Sequence, residues 1–407
     1  MKQALKNADK KTMTKMKNLI LFDNSTNKTN LLPLSYTRPL CDLRVGIDTI
    51  REKWEAAMPG CYSILTEDYL NVKYSANICD DNIFIRGNII PDAELIRAID
   101  NLNIGEYLCK GEEILAVRGT KEQYDNTAEL IKTEYEGDIR AVRFLYDIFT
   151  LNDAVLRDDF TRFTAGKKSQ PIPESNTVIG DPSLIFVEEG AQVEGAYLNS
   201  KTGPIYLAAN TEVMEGSCLR GPIAVCEHSH VNMGSKIYGA TTIGPWCKVG
   251  GELNNVVMIG FSNKAHDGFL GNAVIGEWCN IGAGCVASNL KNDYTEIKLW
   301  NYTARRFTRT GLQFCGLIMG DHSKAGINTM FNTATVLGVG VNVYGSGFQR
   351  NFLASFSEGS RAGFTDVPLT KFFEIARRVM ARRGRELTDA DIHIFEQINE
   401  MAHNFKI

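Results

Sequence analysis

Between Leu207 and Val249 an aliphatic residue returns at every sixth position: Leu207, Val213, Leu219, Val225, Val231, Ile237, Ile243 and Val249. Small residues recur two places earlier, at Thr211, Ser217, Ser229, Ser235, Thr241 and Cys247. After a slip of two residues the beat resumes at Ile275-Gly276 and Ile281-Gly282, with Ala273, Cys279 and Cys285 in the small position. A helix repeats at about 3.6 residues and a half-buried strand at about 2, so a period of six fits neither. It fits the hexapeptide repeat of a parallel β-helix, in which each hexad makes one short strand and one turn. In the left-handed form three hexads close a triangular coil, and the coils stack at the spacing of paired strands, roughly 4.8 Å. The aliphatic residue points into the prism, and the small one lets the chain turn the corner.

Upstream the pattern changes. NLILFD, YSILT, NIFIRG and EILAVRG read as strands, and IDTIREKWEAAM and DAELIRAID read as helices between them. Strands alternating with helices predict an α/β domain with a mostly parallel sheet, over residues 18–160. FLYDIFTLNDAVLRDDF reads as its closing helix, and TAGKKSQPIPESN has linker composition, placing a linker at 161–176. The β-helix is expected over 177–347, rough in its first coils. Two departures interrupt it: the slip, which holds GFSNKAHDGF, and a polar and aromatic insertion at about 291–314, expected to loop off the prism. In a solenoid, departures from the repeat are where loops and chemistry emerge. Residues 348–407 turn helical, in TKFFEIARRVMARRGR and TDADIHIFEQINEMAHNF, the second with a Thr or Asp N-cap. They are expected to cap the open end of the prism, whose last strand is otherwise an unpaired edge.

Composition narrows the function. A formal charge of −4 over 407 residues gives no basic footprint for nucleic acid. No apolar run approaches the roughly 18 residues of a membrane span. The start, MKQALKNADKKTMTKMK, is basic, but Leu19 to Phe22 is too short for a signal-peptide core. Residues 1–17 are therefore expected to be a disordered tail, with Met13 or Met16 as alternative starts. The ten cysteines contain no C-x-x-C pair, which favours reduced thiols and a cytoplasmic location.

GFSNKAHDGFLGNAVIGEWCNIGAGCVASNL resembles the acetyltransferase half of the bifunctional N-acetylglucosamine-1-phosphate uridylyltransferase / glucosamine-1-phosphate N-acetyltransferase family. That family joins a nucleotidyltransferase domain to a left-handed β-helix, and works as a homotrimer with acetyl-CoA sites between neighbouring prisms. The match is best over about 220–345. It is most similar to a divergent branch marked by LLPLSYTRPL, CEHSHVNMGSKIYG and GLIMGDHSKAGINTMFN. The resemblance implies His266 as general base, Asn280 and Asn289 as substrate-site asparagines, and Ala283, with the corner glycines Gly282 and Gly326, at acetyl-CoA. It also implies Lys236 as the sugar-phosphate anchor. Two replacements stand out: Asn254 occupies a phosphate-binding lysine position, and Phe269 a catalytic-site tyrosine position. In the front half the family's Gly-rich loop, whose backbone N–H groups cradle a triphosphate, is replaced by DNSTNKTNLLPLSYTRPL, with no glycine between Asp23 and Pro39. Arg38-Pro39 resembles the Lys-Pro step after that loop. Nucleotide binding there is expected to be poor or altered, with Mg²⁺ needed only if this domain is active.

The residues themselves support part of this. N-acyl transfer needs a group to take a proton from the attacking amine, and imidazole titrates in the right range. His266 sits at a break in the repeat, between Lys264 and Asp267, so Lys264 is a further substrate-site candidate. Asn280 and Asn289 also fit a corner role, because asparagine tolerates left-handed φ. Lys236 competes with a plain solvated lysine. His228, His230, His266 and His322 raise a zinc reading, but the only close pair is His228-x-His230, and no metal site is expected. Arg377, Arg378, Arg382, Arg383 and Arg385 fit either CoA phosphates or a solvated helix face. Three functions stay open: an acetyl-CoA-dependent N-acetyltransferase on an amino-sugar phosphate, a sugar-1-phosphate nucleotidylyltransferase, and a non-catalytic trimeric scaffold that binds sugar nucleotides.

Overall fold

The computed structural model describes residues 16–406, so residues 1–15 of the expected tail lie outside the described residues. The first strand, Asn18–Phe22, is apolar because it is central, pairing in parallel with Cys61–Leu65 on one side and Asn82–Arg86 on the other. Helix Ile50–Ala57 crosses between strands from a capping box in which the Thr49 side chain and Glu52 exchange bonds. Helix Ala93–Asp100 is capped by Asp92. The Glu106–Lys110 and Glu113–Gly119 strands form an antiparallel hairpin, so parallel pairing does not run through the whole six-stranded sheet. A short helical turn, Asp147–Thr150, precedes the closing helix Asn152–Thr164.

From Thr177 the chain winds a three-faced β-solenoid. The first face stacks Thr177–Ile179, Tyr197–Asn199, Cys218–Arg220 and Lys236–Tyr238. The second stacks Ile185–Val187, Ile205–Leu207, Ile223–Val225 and Thr241–Ile243, and the third stacks Gln192–Val193, Glu212–Val213, His230–Val231 and Lys248–Val249. The aliphatic hexad residues point inward and are buried. The small residues do more than save space. The hydroxyls of Ser229, Ser262 and Ser323 donate at 2.7 Å to the corner carbonyls of Gly244, Gly276 and Gly338. Each buried corner thus satisfies a backbone acceptor that no strand partner reaches. Ile237→Ala, which empties one interior position, is expected to cost about 2–5 kcal/mol in urea unfolding.

The slip of two residues is a shortening. Eighteen residues separate Val213 from Val231 and Val231 from Val249, but fifteen separate Val249 from Lys264 and seventeen Lys264 from Ile281. Strands Glu252–Gly260 and Gly268–Glu277 run straight through a corner, each turning on one left-handed asparagine, Asn255 (φ 57°) and Asn272 (φ 45°). The insertion does not loop off the prism. It forms a hairpin, Lys298–Asn301 with Arg306–Arg309, that folds back over the front domain. Thr303 donates to Asn30 at 2.9 Å, and the Tyr302 ring packs edge-on to Tyr36, Phe352 and Phe405.

The solenoid also runs past residue 347, through Phe352–Leu353 and Ser357–Ser360. Its third face is closed by strand Gly363–Asp366, antiparallel on Ser357–Ser360, rather than by the helices. Helix Leu369–Ala381 instead lies along the corner between the second and third faces. There left-handed residues build an aromatic ladder: His228 stacks on Trp246 at 4.3 Å, Phe261 on Trp278 at 4.3 Å, and His322 meets Phe372 and Phe395. Helix Asp389–Ala402 joins the front domain through Asp391 and Lys73 at 2.8 Å.

The second face is covered by the front domain. Its outward residues Phe186, Tyr206, Ala224 and Thr242 are buried against Ile47, Leu156 and Phe160. Asn152 accepts from Gly46 N at 2.7 Å and donates to Ala240 O at 2.8 Å. With the second face and one corner covered, the first face and the edge between the third and first faces remain open to solvent.

Candidate functional site

That open edge is made of successive corners: Asn232 to Gly234, Gly250 to Gly251, Ala265 to Asp267, Gly282 to Gly284, then Gly326 to Asn328. Backbone and side-chain bonds stack them: Asn232 Nδ2 to Ala265 O at 2.8 Å, Gly284 N to Asp267 O at 2.9 Å, and Asn328 N to Ala283 O at 2.8 Å. Close stacking demands small residues. A Cβ on Gly250 would lie 2.3 Å from the Ala265 carbonyl, and one on Gly282 would lie 2.7 Å from Ile327 N. His266, Gly282, Ala283 and Gly326 therefore share one edge, in consecutive coils. His266 is exposed, and its ring makes no hydrogen bond among the described residues, including with Asp267.

On the third-face side of the edge runs an outward polar row, in which Asn280 stands exposed between Asn263 and Lys324. On the first-face side the outward row runs Lys236, Glu252, Phe269, Val286 and Met330. Lys236 is exposed and lies two rungs below Phe269, roughly 10 Å away. Asn254 lies farther along that face, beside Tyr238 and Gly271. Asn289 is at the opposite edge of the first face, about 15 Å from the His266 corner by strand rise. Its amide donates to Asn272 Oδ1 at 2.8 Å, and with its amide turned Asn255 continues the ladder to Asn272. One chain thus brings His266, Asn280, Ala283 and Lys236 to one edge and leaves Asn289 in a corner stack elsewhere.

Lys264 does not meet a substrate at the surface. It occupies the interior row between Val249 and Ile281, 1% exposed, where the other coils place aliphatic residues. Its Nζ donates to Gly250 O at 2.9 Å and to the His266 carbonyl, bracing the corner that carries the imidazole. Burial pushes its ammonium down to about 8, against weaker attraction from Cys285 and Asp267. Since the folded value lies below the ordinary 10.5, the unfolded chain binds more protons between the two, and stability rises with pH across that window. Lys264→Met is expected to be the more stable protein at pH 7, by up to about 3 kcal/mol. That advantage should shrink as pH rises from about 8 to 10.5, which urea unfolding at both ends measures.

The other candidates disperse. His228 stacks on Trp246, and His230 Nδ1 pairs with Glu212 at 2.7 Å. Burial holds His322 neutral, its pKa well below the usual value. No group of three His, Cys, Asp or Glu comes together as a metal site among the described residues. In the arginine cluster Arg383 turns to Asn263 at 3.2 Å, Arg385 lies over the Phe261 ring, and Arg378 pairs with Glu374.

In the front domain the loop after the first strand is full. Asp23 accepts from Leu40 N at 2.8 Å, Thr66 Oγ1 at 2.6 Å and Lys28 Nζ at 3.1 Å, and Lys28 is buried. Arg38 is 4% exposed and binds Asp321 at 2.5 Å and Glu277 at 3.1 Å, both on the solenoid. Thr37 donates to the same Asp321 at 2.5 Å. The cations of this loop are spent on internal pairs, and Asp23 is too fully bonded to suit a magnesium ion.

Residues 19–168 match the family model described as sugar nucleotidyl transferase. Along the chain, the bifunctional protein GlmU of Synechococcus elongatus is 21% identical over 268 residues, covering 60% of this chain and 55% of that protein. The GlmU of a Cyanothece species is 24% identical over 336 residues, covering 74% and 68%. The bifunctional sugar-1-phosphate nucleotidylyltransferase/acetyltransferase of Sulfurisphaera tokodaii is 26% identical over 165 residues, 40% of each chain. The chain spans a little over half the length of the first of these relatives. Among solved structures, AntD, an N-acyltransferase from Bacillus cereus, covers 52% of this chain and 93% of its own at 13% identity, with a TM-score of 0.22. The part matched by the sugar nucleotidyl transferase model is the front α/β domain, and it is joined to the β-solenoid. The similarity to the two GlmU proteins is low, at 21% and 24% identity, and covers 60% and 74% of this chain.

Proposed function

We propose that the protein is an acetyl-CoA-dependent N-acetyltransferase acting on an amino-sugar phosphate of the glucosamine 1-phosphate kind, working in the cytoplasm as a homotrimer. The observation that carries this reading is the open edge on which His266, Ala283, the Gly282 and Gly326 corners and Lys236 line up. The amine nitrogen attacks the thioester carbon while His266 takes its proton. The C–S bond breaks, the amide forms, and the proton passes to the departing CoA thiolate. Lys236 holds the phosphate, Asn280 orients the reactants, and the flat glycine corners let the pantetheine arm lie close to the backbone. Exposed Met233, Ile327 and Tyr344 on the same edge favour a second copy packing there, with Asn289 serving across the boundary. No helix among the described residues is long and apolar enough to cross a membrane.

A second reading, nucleotidyl transfer onto a sugar 1-phosphate, is favoured by the family match over residues 19–168. The ion pairs that occupy Lys28 and Arg38 weigh against it. One paired assay separates them. Purified protein receives acetyl-CoA with a panel of amino-sugar phosphates, and in parallel receives NTPs with sugar 1-phosphates. Free-thiol release is the expected result. Pyrophosphate release without thiol release would support the second reading, and silence in both arms would sink both.

A further inference from the structure

One cleft lies well away from the His266 edge. It opens at the corner between the first and second faces, under the insertion hairpin, with a volume of about 990 Å³. This is the upper end of the roughly 300–1,000 Å³ typical of small-molecule sites. Its floor is aromatic. Trp300 of the hairpin stacks on Phe352 of the last coil at 4.1 Å and 14°, and Phe307 meets Trp300 edge-on. Phe307 and Phe348 remain 40% and 49% exposed, so the platform has free ring surface. The Trp300 indole N–H is buried with no acceptor among the described residues, a rare state for a group that normally finds one.

The charges on the wall are unequal. Lys298 and Arg350 line the cleft with no carboxylate partner among the described residues, and Lys291 is held only by Glu296 O and Thr295. The two acids are engaged: Asp366 pairs with Lys406 at 2.8 Å, and Asp293 accepts from Thr295. Free ring faces beside uncompensated cations suit a flat base that carries negative charge, since stacking needs no base-specific bonds and the cations take the phosphates. Asn332 and Asn351 lie on the same wall, the Asn351 amide donating to Thr333 O at 2.8 Å and Asn332 Oδ1 accepting from Thr333 N at 2.9 Å.

The geometry points to a binding site for a nucleotide-type ligand, an aromatic base with one or more phosphates, between the insertion hairpin and the last coils. This site is separate from the acyl-transfer edge and stands whether or not that reading holds. The hairpin, anchored on the front domain through Thr303 and Asn30, would then report ligand occupancy to that domain. Two sources share the chemistry, a nucleoside diphosphate and the nucleotide end of coenzyme A.

Equilibrium dialysis of the full chain against UDP, ADP, coenzyme A and inorganic pyrophosphate tests it. At least one nucleotide is expected to bind with a Kd of about 1–100 μM, and pyrophosphate much more weakly. Lys298→Glu with Arg350→Glu, both at the surface, should weaken that binding at least about tenfold without moving the melting temperature. Trp300→Phe should weaken it by a smaller factor. Preference for coenzyme A over ADP and UDP names the CoA source, and the reverse names a nucleoside diphosphate. Unchanged binding in the charge-reversed protein overturns the proposal, as does equal binding of pyrophosphate. A change in sedimentation state on charge reversal would assign the cleft to contact with a second copy and would also overturn it. Because His266→Ala leaves these residues untouched, it should leave this binding intact even where it removes acyl transfer.

Discussion

His266→Ala is expected to lower thiol release from acetyl-CoA by about 10²- to 10⁴-fold, the usual worth of a positioned base. The loss should fall on kcat, because the imidazole acts on a proton that moves only in the transition state. Lys236→Ala should behave differently, raising KM for the sugar phosphate while kcat changes less, since a phosphate anchor binds ground and transition states alike. The contrast matters because both residues are exposed on one edge, where neither side chain makes a hydrogen bond or ion pair among the described residues. A loss that came with a lower melting temperature would speak for damage to the corner. Lys264 makes the cleaner structural control, because its Nζ holds the His266 carbonyl from inside the prism.

Arg38→Ala should be the most destabilising single change at the domain boundary, costing about 3–5 kcal/mol. Burial opposes the guanidinium's charge, but Asp321 and Glu277 outweigh it and hold its pKa above the ordinary value. Removing the arginine leaves Asp321, 3% exposed, as an uncompensated buried carboxylate. Asp321 would keep only Thr37 and the amide of Glu277 as donors. Arg38→Met combined with Asp321→Leu should cost less than either single change, as it removes both charges together. Chemical unfolding of the four proteins of this cycle measures the coupling. Equal and additive losses would mean that the pair does not join the domains.

The solenoid was legible because each coil repeats one demand, an aliphatic side chain inward and a small residue at the corner. Counting in sixes could not show how the repeat shifts. A slip of two is the same residue pattern as a deficit of four, and only the pairings of Val249 with Lys264 and of Asn263 with Asn280 show that two successive coils are short. Lys264 itself read as a surface candidate because a lysine in an aliphatic row has no precedent in the local pattern. The insertion read as a free loop because its polar residues hide where its aromatics go, and Tyr302 and Trp300 find partners only in distant segments. The motifs LLPLSYTRPL and GLIMGDHSKAGINTMFN each stood out alone, yet their meeting through Arg38 and Asp321 spans 283 residues and leaves no local trace. The site residues were named from the family resemblance rather than from spacing, and the fold adds only where they lie. His266, Asn280, Ala283 and Lys236 share one edge, while Asn289 ladders to Asn272 in another corner.

A crystal structure of the protein soaked with acetyl-CoA tests the central claim most directly. The pantetheine arm is expected along the Gly282 and Gly326 corners, with the thioester carbon within about 4 Å of where an amine bonded to His266 would sit. Acetyl-CoA bound with its thioester on any other face, or none bound at saturating concentration, would contradict it.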